Sequence, residues 1–163
     1  MLKSQTINLK IIKKVVSALG EINNEVIYVG GAIICMYVTD DGAEQPRPTK
    51  DIDISVQIST YTQMDILRDK LACKGFYPAN METVLYRYAY EDILIDFIPY
   101  TETPLGPTDG SDQDFKKRIL LIENIKIRIL PVSMFLATKW EAYNNRGGDP
   151  RTSHDFERYH LRN

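Results

Sequence analysis

The sequence predicts a single α+β domain, with a mixed β-sheet and helices on its outside. Three observations predict it. Apolar residues recur at helical spacing near the N-terminus and again after Pro131. The segment DIDISVQI at 51–58 alternates strictly between polar and apolar. Several short apolar runs rich in β-branched and aromatic residues follow, separated by turn residues.

Each element has its own signal. Ile7, Ile11, Ile12, Val15, Val16 and Leu19 lie on one helical face, and Gly20 stops the helix. VIYV at 26–29 reads as a short buried strand, and Gly30-Gly31 as a sharp turn. AIICMYV has no clear period and fits either a helix start or extended chain. TDDGAEQPRPTK at 39–50 is a polar loop with two prolines. Residues 61–73 predict an amphipathic helix that ends at Gly75. TVLYRYAYE and DILIDFIPY predict a strand pair turning at Glu91-Asp92. RILLIE and IKIRIL predict a hairpin around Glu123-Asn124. FLATKWEAY predicts a helix after Pro131, and SHDFERYHLRN the opening of another.

The bulk properties exclude several classes. The 163 residues suffice for one domain with a buried core; 44% are hydrophobic and 26% charged, a globular balance. No apolar run approaches the ~20 residues needed to span a bilayer. The first residues, MLKSQTINLK, carry no apolar signal-peptide core. Cys35 and Cys73 are too few for a disulfide framework and have no zinc-ligand spacing. A cytoplasmic protein with free thiols is expected. The net charge of −2 conceals an asymmetry: residues 1–114 hold 10 Lys/Arg against 17 Asp/Glu, and residues 115–163 hold 10 against 5. That split fits a metal site facing a phosphate-binding surface, or simply uneven surface charge.

The chemistry concentrates at Asp51-Ile52-Asp53-Ile54. On a strand the two aspartates share one face, about 7 Å apart. They repel unless a cation lies between them, and Mg²⁺ is commonly held by one or two carboxylates plus substrate phosphates. The bland alternative is a solvated strand face. Asp96 interrupts the run Ile93–Ile98. A carboxylate inside a buried strand must be paired, hydrogen-bonded or metal-bound. Its alternative partner is a cation from a neighbouring strand, such as Arg87. Gly30 and Gly31 can offer bare backbone N–H groups to a phosphate, or form a plain turn.

Taken together, VGG at 29–31, RPTKDIDI at 47–54 and LIDF at 94–97 resemble the nucleotidyltransferase superfamily founded on DNA polymerase beta, with its hG[G/S], DhDh and later hDh pattern. More narrowly, the chain is similar to the AbiEii/MenT group, the toxins of type IV toxin–antitoxin systems. Arg47, Thr49, Asp51 and Asp53 match that group's R-x-[T/S]-x-D-[I/L]-D string. Leu136-Ala137-Thr138-Lys139 and Arg151–Asp155 match its later segments more loosely.

The resemblance implies a nucleotidyltransferase-like mixed sheet flanked by helices, over one domain spanning 1–163. It implies transfer of a nucleoside monophosphate from an NTP to an acceptor hydroxyl, on a tRNA or RNA 3′ end or a protein. Mg²⁺ or Mn²⁺ would be held by Asp51, Asp53 and Asp96, with Asp96 also placed to take the acceptor's proton. Gly30, Gly31, Arg47, Thr49, Lys139 and Asp155 would contact nucleotide, and a cognate antitoxin would be a partner. Plainer roles stand beside these: a solvated loop for Arg47, a surface lysine for Lys139, and a helix N-terminal acid for Asp155. The spacing from Gly31 to Asp51 is longer than the superfamily's. The helical part at 131–163 is shorter than in relatives, so a binding module without turnover is the rival expectation.

Overall fold

The computed structural model describes residues 3–38, 46, 48–49, 51–79, 86–100, 118–122 and 124–145. Helix α1 (Lys3–Leu19) buries Ile12, Val15, Val16 and Leu19 and leaves Lys10 and Lys14 outside. It stops at Gly20, whose φ of 57° lies in the left-handed region that glycine enters without steric penalty. A 3₁₀ helix (Gly20–Glu25) leads into β1 (Val26–Val29). A second 3₁₀ helix (Gly31–Met36) resolves the aperiodic AIICMYV segment, burying every residue from Gly31 to Cys35. Strand β2 (Asp51–Gln57) and helix α2 (Tyr61–Cys73) follow. Helix α2 opens on a capping box in which the Thr60 hydroxyl accepts from the Gln63 N–H and the Gln63 side chain accepts from the Thr60 N–H.

Strands β3 (Tyr77–Pro78), β4 (Arg87–Tyr90), β5 (Ile93–Tyr100), β6 (Arg118–Ile122) and β7 (Ile125–Ile129) precede α3 (Val132–Asn145). The short edge strand β3 carries no alternation of its own and was not expected. The tail, with its expected last helix and Asp155, lies outside the described residues, as do Arg47 and residues 81–85.

Among the described residues the sheet has seven strands, in the order β3-β4-β5-β2-β1-β7-β6. Strand β2 runs antiparallel to β1 and parallel to β5, and β1 runs parallel to β7, so the sheet is mixed, as expected. One face is apolar. Ile52 pairs with Ile95, Ile54 with Phe97, Tyr28 with Ile54, and Tyr88 with Ile95. These side chains join Ile12, Val15, Val16 and Leu19 of α1 and Leu67 and Leu71 of α2 in one core. Each fully buried aliphatic side chain contributes about 2 kcal/mol. Lys14 of α1 forms an ion pair with Glu91 at the β4–β5 turn. No helix among the described residues is long and apolar enough to cross a membrane.

Tyr28 sits at the centre of this core, fully buried. Its hydroxyl donates to Asn23 Oδ1 at 2.8 Å, and Asn23 Nδ2 donates to the Lys126 carbonyl at 2.8 Å. The network ties the first 3₁₀ helix to β1 and β7. Burial raises the Tyr28 pKa far above that of a free tyrosine, because the phenolate would lose its hydration. The unfolded chain therefore releases a proton that the native chain keeps. Stability is full below pH ~10 and declines above it, towards the folded-state value. Urea unfolding at pH 8 and pH 10.5 should show this decline, and Tyr28→Phe should reduce it. That variant should also lose about 1–2 kcal/mol at pH 8, because Asn23 is left without its donor.

Candidate functional site

The second face of the sheet carries the polar residues. Alternation along β2 puts Asp51, Asp53 and Ser55 on the side opposite Ile52, Ile54 and Val56, and the burial pattern follows suit. Strand β5 lies parallel beside β2 with Asp53 directly paired to Asp96 and Asp51 to Leu94. Adjacent strands lie about 4.8 Å apart. The structure therefore brings Asp51, Asp53 and Asp96 together on one face, although 43 residues separate the last two.

Gly30 closes the site on the β1 side, where Val29 pairs with Asp53. Its backbone adopts φ 73°, ψ −159°, a region essentially restricted to glycine. A Cβ built there would lie 1.8 Å from Asp53 Oδ2 and 2.7 Å from Asp53 Cγ. The missing side chain is the space that the Asp53 carboxylate uses. Gly31 is buried as the first residue of the second 3₁₀ helix.

Arg87 stands on the other side. The β4–β5 turn sets Arg87 opposite Asp96. Its guanidinium grips that carboxylate with two donors, Nε to Oδ1 and Nη2 to Oδ2, both at 2.6 Å. Nη2 also lies 4.0 Å from Asp51 Oδ2. The Asp96 side chain is 15% exposed, so this fork answers the desolvation of its charge. The Arg87 pKa is pushed up, first by the hydrogen bonds to Asp96 and then by the charges of Asp96, Asp51 and Asp53, against the lowering effect of burial. One cation thus feels all three carboxylates. The neighbouring-strand partner considered for Asp96 is the one observed.

The donor set can be weighed against a divalent ion. No group of three His, Cys, Asp or Glu side chains set to hold a metal occurs among the described residues. Two hard carboxylates on one strand face nevertheless match what Mg²⁺ commonly takes from a protein, the rest of its octahedron being water and phosphate. Asp51 and Asp53 fit that role. Asp96 has both oxygens engaged by Arg87.

The other candidate residues are placed as follows. The Thr49 backbone N–H donates to Asn8 Oδ1 at 3.3 Å, which anchors the approach to Asp51. Asn8 is a positioning residue the sequence reading missed. Its signal was a polar side chain one turn before Ile12 on the buried stripe of α1. Lys139 on α3 has its Nζ 5.8 Å from the Phe135 ring centroid. Phe135 in turn packs on Tyr37 at 4.8 Å, and the Tyr37 hydroxyl donates to the Leu130 carbonyl. Helix α3 is thereby docked on the segment that follows Gly31. Arg47 and Asp155 lie outside the described residues.

No family model matches the chain, and no curated protein does. Solved structures do. A nucleotidyltransferase-like antigenic protein from Paracoccidioides brasiliensis superposes with a TM-score of 0.64 at 18% identity, over 98% of this chain and 76% of that one. The solution structure of the antibiotic-resistance factor ANT(2″)-Ia gives 0.62 at 18% identity, over 96% and 83%. ANT(2″)-Ia in complex with adenylyl-2″-tobramycin gives 0.56 at 16%, over 93% and 85%. Likeness at this identity is likeness of fold, and it does not single out the AbiEii/MenT group. The chain has the nucleotidyltransferase-like fold: a mixed β-sheet flanked by helices, with three aspartates gathered on one face of its central strands.

Proposed function

We propose that this chain, as one domain over 1–163, is a metal-dependent nucleotidyltransferase that moves an NMP from an NTP to an acceptor hydroxyl. The observation that carries the reading is the direct pairing of Asp53 with Asp96, beside Asp51 and against Gly30. In the reaction the acceptor oxygen attacks the α-phosphorus, the bond to the β-phosphate oxygen breaks, and pyrophosphate leaves. Such chemistry needs positioning and neutralisation of charge more than covalent help.

Asp51 and Asp53 would hold Mg²⁺ or Mn²⁺, which supplies charge neutralisation at the phosphates and acidifies a bound hydroxyl when present. Asp96, once its carboxylate is released from Arg87, would complete the ligands of the acceptor-side metal and could accept the acceptor's proton. Gly30 and Gly31 offer backbone N–H groups to the triphosphate. Thr49, Lys139, Arg47 and Asp155 complete the proposed nucleotide contacts. The proposed acceptor is a tRNA or RNA 3′ end or a protein hydroxyl, as in the toxin group, with an antitoxin as partner. The tobramycin adduct of the fold neighbour adds a small-molecule hydroxyl to the acceptors to be tried. One observation favours a second reading, a binding module without turnover: the fork on Asp96 occupies the group that would take the proton.

The test is incubation with each α-labelled NTP, Mg²⁺ and, separately, total tRNA, protein extract and aminoglycosides. Label should pass to one acceptor class and disappear with Asp51→Ala. Absence of transfer with every pair, alongside measurable nucleotide binding, would establish the binding module instead.

A further inference from the structure

The acidic face already contains a cation of its own. Asp51, Asp53 and Asp96 converge from two paired strands, and the Arg87 guanidinium lies among them. Its fork takes both oxygens of Asp96, and one nitrogen reaches towards Asp51 at 4.0 Å. The Arg87 side chain is 29% exposed, so its charge is only partly screened by water. Arg87 is not held there by chance of side-chain length. The two-residue turn at Glu91-Asp92 fixes the β4–β5 register, and that register puts residue 87 across from residue 96.

We propose that Arg87 is a built-in competitor for the divalent cation, which must displace its guanidinium from Asp96 before that carboxylate becomes a metal ligand. This rests on the metal-dependent reading above. The physical reason is exclusion. A carboxylate with both oxygens in short hydrogen bonds to a guanidinium has little left to give a metal. Two cations seated within a few ångströms also repel. The chain therefore has a resting state in which Arg87 partly offsets the charge of the acidic face from within, and a loaded state in which Arg87 has turned away. A planar guanidinium pairs with phosphate as readily as with carboxylate, so a triphosphate arriving with the metal offers Arg87 a new partner.

The experiment measures Mn²⁺ binding to the full chain by electron paramagnetic resonance of the free ion, for wild type, Arg87→Lys and Arg87→Gln. Arg87→Gln should bind Mn²⁺ about tenfold or more tightly than wild type, with Arg87→Lys between them. If Arg87→Gln is folded and binds Mn²⁺ no more tightly than wild type, the competition is refuted while the metal site stands. If neither protein binds Mn²⁺, both the competition and the metal-dependent reading fail.

A second measurement uses wild type alone, in case Arg87→Gln does not fold. The Arg87 Nε–H proton should exchange slowly without metal, because it is held by Asp96, and quickly in saturating Mg²⁺. Protection that persists in saturating Mg²⁺ would overturn the proposal.

Discussion

Gly30→Ala is expected to lower stability by about 2–5 kcal/mol. A non-glycine residue in this backbone region costs roughly 1–3 kcal/mol, and overpacking adds a similar amount. The overpacking is specific, because the new methyl would lie 1.8 Å from Asp53 Oδ2 and 2.9 Å from Asp53 Cβ. For a chain of this size the loss corresponds to a fall in Tm of roughly 5–15 °C. Thermal melts of wild type, Gly30→Ala and Gly30→Ala/Asp53→Ala check the cause. The double variant should recover part of the loss, since the carboxylate is gone and what remains is the backbone strain and the 2.9 Å approach to the Cβ at position 53. A Gly30→Ala protein that melts like wild type would show that β1 and β2 approach less closely than described.

Asp53→Asn is expected to have the largest effect on activity, with no matching loss of fold. The side chain keeps its shape but gives up the charge that lies between Gly30 and Asp96. Losing one charged ligand of a phosphoryl-transfer site amounts to about 4 kcal/mol of barrier, or roughly a thousandfold in rate. Stability should hold or rise, because one of three clustered negative charges is removed. Single-turnover transfer with the best NTP and acceptor pair, alongside a urea melt, separates the two quantities. Transfer within tenfold of wild type would remove Asp53 from the machinery and with it the proposed function.

Much of this site is legible in the amino-acid sequence. The alternation of DIDISVQ states which face Asp51 and Asp53 share, and the structure keeps that alternation residue by residue. The Arg87–Asp96 pair was also within reach. A two-residue turn at 91–92 forces 90 opposite 93, and counting back places 87 opposite 96. The adjacency of β2 and β5 was not readable. It depends on a parallel crossover, and no local pattern states which of several apolar strands lies beside which. The role of Gly30 was hidden for a related reason. Its nearest neighbour is 23 positions away, so a glycine that clears space for a carboxylate looks, in sequence, like any turn glycine. The second 3₁₀ helix escaped because Ala32–Cys35 is buried on all sides and shows no period.

The position of β2 in the strand order has a dynamic consequence. Among the described residues it is the fourth of seven strands, and its neighbours β1 and β5 are themselves hydrogen-bonded on both edges. The backbone beneath the aspartates is therefore expected to exchange its amide hydrogens slowly, through large-scale opening, as central strands do. Rearrangement at this face is left to side chains, which turn in picoseconds to nanoseconds where they are exposed. In the proposed reaction, substrates would come to a fixed floor, and timing would rest with the few rotamers standing on it.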